Sequence, residues 1–238
     1  MFNKITNRFN IRLIIAISIF LTCLPSSLFA QNDLKVIKNY SVYRHLVQTD
    51  SLKKMIELKT ILPGIQYDLR YATSDNFMHK QLYKNGSSTF LRLPAARALV
   101  KVQQELDKKD LSLKIWDAYR PYSITVMMWN MIKDERYVAD PKKGSGHNRG
   151  LAVDLTIIDK TTGVELNMGT GFDSFSDTAH QDFRNLSPDI LRNRDLLRTS
   201  MEKYGFKALE TEWWHFYMDI PGYELLDIPF EKFKKNFN

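Results

Sequence analysis

Between Pro94 and Asp110, the apolar residues Ala95, Leu99, Val102 and Leu106 recur every three or four positions, with lysine and glutamine between them. That period lays one apolar stripe along a helix and predicts an amphipathic helix here. A second helix is predicted from Ser187 as N-cap and Pro188 at the first helical position. It carries Ile190, Leu197, Met201 and Tyr204 on one side and stops at Gly205. The run from Pro121 through Trp129 to Asp134 reads as a third. Elsewhere the period changes to two. Leu111, Leu113 and Ile115 alternate with Ser112 and Lys114, and Leu151, Val153, Leu155 and Ile157 alternate with Ala152, Asp154 and Thr156, so both stretches read as strands. Ile65 to Tyr71 and Trp213 to Met218 are further strand candidates. Helices and strands are mixed without a regular beta-alpha-beta rhythm. The pattern therefore predicts a single α+β domain over residues 31–238, with an antiparallel sheet and flanking helices.

The first thirty residues break this pattern. A basic stretch (MFNKITNRFNIR) precedes twelve uncharged, mostly apolar residues from Leu13 to Leu24, followed by Pro25, two serines and Leu28-Phe29-Ala30. That succession predicts a secretory signal peptide over residues 1–30, cleaved after Ala30. The apolar run is well short of the roughly 20 residues of a membrane span. Leu28 stands where small residues are preferred, which keeps an uncleaved anchor as the alternative. Cys23 raises a lipoprotein reading that Thr22 before it speaks against. On any of these readings the protein works outside the cytosol, with the periplasm expected and no membrane insertion once the signal is removed.

Composition narrows the function. With 238 residues, 44% hydrophobic and 26% charged, the chain has the make-up of a globular protein and excludes a disordered or disulfide-stapled one. The formal charge is +7, but Lys4, Arg8 and Arg12 lie in the signal segment, and without them 31 basic residues face 27 acidic ones. A scattered excess of four gives no footing for nucleic acid. The single cysteine, Cys23, falls in the same segment. The mature chain would have no thiol, which excludes cysteine nucleophiles, thiolate metal sites and disulfides together.

The densest polar signal is GSGHNRGLAVDLTI, residues 144 to 157. Its glycines suggest a flexible loop running into a strand, but their spacing does not fit a dinucleotide fingerprint, and no helix is predicted to follow. Lys143 stands where a serine-hydrolase elbow needs glycine. His147 and Asp154 remain. A carboxylate half-buried in an apolar strand needs a cation or a metal, and a third ligand is available in ETEWWHFYM, at His215. Two imidazoles and a carboxylate, with a fourth position left for water, suit a catalytic zinc site. Taken singly, each residue has an ordinary reading: a packed histidine, or an aspartate capping a turn. Glu212, three residues before His215, can serve as the general base of a zinc hydrolase, provided a turn or bulge brings positions 212 and 215 to one side of the strand. Arg120 in WDAYRPY can stabilise a tetrahedral intermediate or simply pair with Asp117. His45, His79 and His180 have no comparable neighbourhood.

The motifs DAYRP, SGHNRGLAVD and EWWH, in that order, resemble those of the zinc D-alanyl-D-alanine dipeptidases of the VanX type, and more broadly the D,D-carboxypeptidase family. The likeness runs from about Gln66 to Tyr217. It implies one zinc per chain on His147, Asp154 and His215, Glu212 as base, Arg120 as the transition-state arginine, and D-Ala-D-Ala as substrate. It further implies that Tyr71, in YDLRYATSDNF, and Asp173, in MGTGFDSF, lie near the substrate amine, and that Ser145 lies near its carboxylate. Two departures stand out. Ala118 replaces a usual glycine, and Gly146 replaces a usual serine, which would loosen the loop that aims Ser145. The rivals are a D,D-carboxypeptidase acting on longer wall peptides, which Asp173 and Tyr71 disfavour, and a noncatalytic zinc-containing peptidoglycan-binding module, which has no need of Glu212.

Overall fold

The computed structural model describes residues 34–84 and 88–234, together with Met1. The expected signal peptide, with Cys23, thus lies outside the described residues except for Met1. In chain order, strand β1 (Val36–Ile37), helix α1 (Tyr40–Thr49), β2 (Met55–Glu57), the single-turn helix α2 (Leu58–Ile61) and β3 (Gln66–Tyr67) lead to β4 (Phe90–Arg92). Helix α3 (Leu93–Asp107), β5 (Leu111–Asp117) and α4 (Tyr122–Ile132) come next, then the one-turn helix α5 (Gly146–Arg149) and β6 (Ala152–Asp159). The chain ends with α6 (Pro188–Glu202), β7 (Lys207–Leu209), β8 (Glu212–Tyr217), β9 (Leu225–Leu226) and α7 (Phe230–Phe233).

The predicted helices form where their apolar stripes are buried. In α3, Ala95, Leu99, Val102 and Leu106 are all fully buried, and the chain leaves the helix through Asp110, whose φ of 55° is one an aspartate tolerates in a tight turn. Helix α4 begins after Pro121 as expected and closes on Lys133 in the left-handed region. Helix α6 has Pro188 in its first turn, but the Ser187 side chain makes no capping bond. Its buried face includes Arg194 beside Leu197 and Met201, a residue the apolar pattern could not flag.

The central sheet has the order β3-β5-β6-β8-β7. Pairing is antiparallel from β5 through β7, as expected, whereas the two-residue edge strand β3 pairs parallel with β5, so the sheet is mixed. The longer strand expected over Ile65 to Tyr71 stops at Tyr67, and Tyr71 lies on a 3₁₀ turn, Arg70–Ala72. Strand β6, at the middle of the sheet, is buried along seven of its eight residues. Among the described residues no helix is long and apolar enough to cross a membrane.

Candidate active site and metal centre

Register makes the site. Antiparallel pairing sets Asp117 of β5 opposite Asp154 of β6, and Asp154 opposite His215 of β8, so three polar residues form a row across the centre of the sheet. Asp117 and Asp154 are both buried. Two carboxylates in facing positions repel one another, and such a row persists only where cations neutralise it. Arg120 does so in part: its Nη2 lies 2.8 Å from Asp117 Oδ2 and 3.7 Å from Asp154 Oδ2. The other side of Asp154 is occupied by imidazoles.

His147 reaches this row from α5. The expected flexible loop is here a capped turn of helix: the Ser145 hydroxyl accepts from the His147 amide at 3.1 Å, and the Asn148 side chain accepts from the Ser145 amide at 3.1 Å. Gly146 does not loosen this turn. A β-carbon there would stand 2.9 Å from Ala152 Cβ, so glycine lets α5 lie directly against β6. The Ala118 carbonyl lies 2.6 Å from His147 Nδ1. A carbonyl can only accept, so Nδ1 carries the hydrogen and Nε2 presents a bare lone pair to the site.

His147 Nε2, His215 Nδ1 and Asp154 converge. The two nitrogens are 3.1 Å apart, His215 Nδ1 is 2.9 Å from Asp154 Oδ1, and His147 Nε2 is 3.3 Å from Asp154 Oδ2. Tetrahedral zinc with bonds of about 2.05 Å holds its ligand atoms roughly 3.3 Å apart. The three donors thus fit the metal both in chemistry and in spacing, and they form the group suited to a metal ion.

Glu212 stands beside the triad, its Oε2 3.8 Å from His215 Nδ1. The geometric condition set by the sequence is met by an irregularity in β7–β8 pairing: Ala208 faces Phe216 while Leu209 faces Glu212, so one step on β7 spans four residues of β8. Burial, then the charges of Asp154 and Asp173, push the Glu212 carboxyl well above its ordinary range, against the opposing effect of Arg120. Burial also works against ionised Asp154, but the imidazoles of His147 and His215 outweigh it and hold that carboxyl below the usual range. Burial lowers the His215 pKa, with Asp154 opposing.

The expected pairing of Arg120 with Asp117 is present. Its Nε donates to Asp117 Oδ2 at 2.9 Å, and its fork of five donors leaves others for a developing oxyanion. Its guanidinium also lies 5.0 Å from the centre of the Tyr71 ring. The Tyr71 hydroxyl in turn donates to Asp173, 3.0 and 3.2 Å from its two oxygens. Asp173 has a φ of 58°, a left-handed conformation that functional sites often impose on residues other than glycine. Burial and the charge of Asp154 raise its pKa to about 7.

All eight residues singled out in the sequence, Tyr71, Arg120, Ser145, His147, Asp154, Asp173, Glu212 and His215, line one cleft of about 240 Å³. It is small beside the roughly 300–1,000 Å³ of common ligand pockets. Sequence reasoning missed the supports behind these residues. Tyr83 donates to Asp117 Oδ1 at 2.8 Å, and Asn148 donates to the Arg120 carbonyl and to Thr125 Oγ1, both at 2.8 Å. Asn148 was visible inside the histidine motif; Tyr83, 34 positions before Asp117, has no local signal.

Comparison with known proteins agrees with this geometry. A D-alanyl-D-alanine dipeptidase of Escherichia coli (strain K12) is 36% identical over 181 residues, covering 76% of this chain and 93% of its own. Enzymes of the same name from Enterococcus faecium, 32% identical over 67% of this chain and 88% of theirs, and from Enterococcus faecalis (strain ATCC 700802 / V583), 31% identical over 76% and 95%, are also similar. The peptidase M15 profile, described as D-Ala-D-Ala dipeptidase, matches residues 51–236, a longer stretch than the motifs alone mark out. With its ligand triad, neighbouring carboxylate and arginine gathered in one cleft, this chain belongs to the M15 family of D-Ala-D-Ala dipeptidases.

Proposed function

We propose that the protein hydrolyses D-alanyl-D-alanine to two D-alanines, using one zinc ion held by His147, Asp154 and His215, after export and cleavage of the chain near Ala30 into the periplasm. Zinc held there would supply Lewis-acid chemistry, polarising a scissile carbonyl and activating water. Glu212, beside the triad, accepts the proton of the attacking water and passes it to the leaving nitrogen as the C–N bond breaks, so that its carboxylate is regenerated. Glu212 is held above its ordinary range by burial first and by Asp154 second, and a cation held by the triad would offset the second of these. Arg120, fixed by Asp117, offers its remaining donors to the oxyanion. The Ser145 hydroxyl accepts from the His147 amide and so keeps its own hydrogen free for the substrate carboxylate. Asp173, held by Tyr71, pairs with the free ammonium.

The observation that carries this reading is the Asp173–Tyr71 pair in the same cleft as the triad. A group that fixes a free amine defines where the substrate must begin. It therefore favours a dipeptidase over a carboxypeptidase of longer wall peptides, and Glu212 has no purpose in a module that only binds. The test is to incubate the purified protein with D-Ala-D-Ala, its N-acetyl form and a wall pentapeptide, and to analyse the products. The dipeptide should be cleaved far better than the other two, whereas equal cleavage of the pentapeptide would replace this reading by the carboxypeptidase one. Export is tested by the intact mass of the native protein. It should begin at Gln31, and a stable form retaining Met1 in the membrane fraction would instead support an anchor.

A further inference from the structure

Arg194 of α6 is 5% exposed and has no carboxylate within ion-pair distance among the described residues. All three of its guanidinium nitrogens donate to backbone carbonyls: Nε to Met168 at 2.7 Å, Nη2 to Thr178 at 2.8 Å and Nη1 to His180 at 3.1 Å. Burial without a counter-charge lowers its pKa to about 10. An arginine buried this way is costly, and its placement calls for a reason. Met168 lies at one stem of the loop that carries Phe172, Asp173 and Phe175, and Thr178 and His180 lie at the other. One planar fork therefore closes the base of that loop, a geometry a lysine ammonium cannot reproduce.

Three neighbouring contacts serve the same stems. The Asn193 side chain donates to the Asn167 carbonyl at 2.9 Å. Gly169, at φ +86°, lies so close to α6 that a β-carbon there would stand 3.1 Å from Ile190 Cγ2 and 3.5 Å from Arg194 Nη2. Trp213, whose ring centre is 5.9 Å from the Arg194 guanidinium, donates through Nε1 to Thr170 Oγ1 at 2.8 Å. Because Trp213 directly follows Glu212, the loop is referenced to the strand that carries the base.

We propose that Arg194 is a positioning residue for substrate selection: by tying both stems of the 169–177 loop to α6, it holds Asp173 where it meets the amine of the dipeptide. This rests on the reading of Asp173 as the amine-binding group. Arg194 does not line the cleft and, among the described residues, hydrogen-bonds only to the carbonyls of the loop stems, so its loss acts on amine recognition and leaves the groups that perform the bond cleavage in place.

The test is a double-mutant cycle of Arg194→Lys and Asp173→Ala, scored by KM and kcat for D-Ala-D-Ala, by the preference for it over N-acetyl-D-Ala-D-Ala, and by hydrogen exchange. Gly169→Ala is the second perturbation of the same stem and keeps the buried arginine, should Arg194→Lys not fold. Misplacing a binding group by about 1 Å costs up to roughly a hundredfold. In the zinc-loaded variants, the KM for the dipeptide should rise roughly ten- to a hundredfold and the preference should fall by a similar factor, with kcat much less affected. Backbone amides of 169–177 should exchange faster while those of 147–154 do not. In the Asp173→Ala background, Arg194→Lys should have no further effect on the preference. A preference that survives Arg194→Lys but collapses in Asp173→Ala would overturn the proposal, as would an equal effect of Arg194→Lys in both backgrounds. If Asp173→Ala leaves the preference intact, the reading of Asp173 falls and the proposal with it, a pattern distinct from failure of the clamp alone.

Discussion

His147 shows how much chemistry a single side chain inherits from its surroundings. The Ala118 carbonyl fixes its tautomer, the Ser145 cap fixes its backbone, and its free nitrogen then points at Asp154 and His215. The ligand types were readable from the sequence only in combination, because each alone has an ordinary structural reading and the motifs place His147, Asp154, Glu212 and His215 together. The residues behind them were not. Asp117 was visible only as a partner for Arg120, since its position opposite Asp154 depends on the register of two strands, and register is written in pairing rather than in local pattern. At this scale, His215→Ala should remove a donor whose nitrogen is 3.1 Å from that of His147. Metal analysis of the purified variant should find it depleted of zinc after dialysis that leaves the wild type fully loaded. A variant that retains a full equivalent at unchanged affinity would exclude His215 as a ligand.

Among the elements, the long periodic ones were legible and the short ones were not. Helices α3, α4 and α6 and strands β5 and β6 have enough residues for a period to emerge. By contrast, the two residues of β3 do not reveal a parallel pairing, and the four residues of α5, opened by a glycine, read as loop. Its helical turn comes from the Ser145 cap, a bond between near neighbours in the chain, and from contact with β6, which only the fold supplies. That contact makes a prediction. Gly146→Ala places a methyl 2.9 Å from Ala152 Cβ, an overpacking that should cost about 1–3 kcal/mol and tilt His147 away from the triad. Thermal melting and zinc titration should both show the loss, and Ala152→Gly in the same chain should restore most of it. Rescue of neither property would mean that α5 is positioned by something other than this contact.

For the molecule as a whole, the α+β class was legible in the order of elements, and the gathering of all eight candidate residues in one cleft in the motifs that contain them. An electrostatic cost emerges only from the fold. Asp173 titrates near 7 in the folded protein, against about 3.9 for a free aspartate. Between those values the folded state holds more protons than the unfolded one, so stability falls as pH rises. In metal-free protein the Asp173 contribution should therefore lower thermal stability as pH rises from about 4 to about 7, with the lowered pKa of His215 acting in the opposite direction. Asp173→Asn should flatten that decline, and zinc should do so too by offsetting the charge of Asp154. Differential scanning calorimetry across this range is the check; a metal-free wild type and Asp173→Asn with parallel profiles would contradict the placement of Asp173 in a desolvated, negatively charged site.

The proposed mechanism turns on Glu212 acting as a base beside an intact metal site, and one preparation of Glu212→Gln addresses it. The amide keeps the shape of the side chain but cannot accept a proton, and general-base catalysis contributes on the order of 10²- to 10⁴-fold. Zinc content and D-Ala-D-Ala turnover should be measured on the same folded sample. One equivalent of zinc with turnover reduced by roughly two to four orders of magnitude is the predicted result. A fully zinc-loaded Glu212→Gln that hydrolyses the dipeptide at near wild-type rate would contradict it.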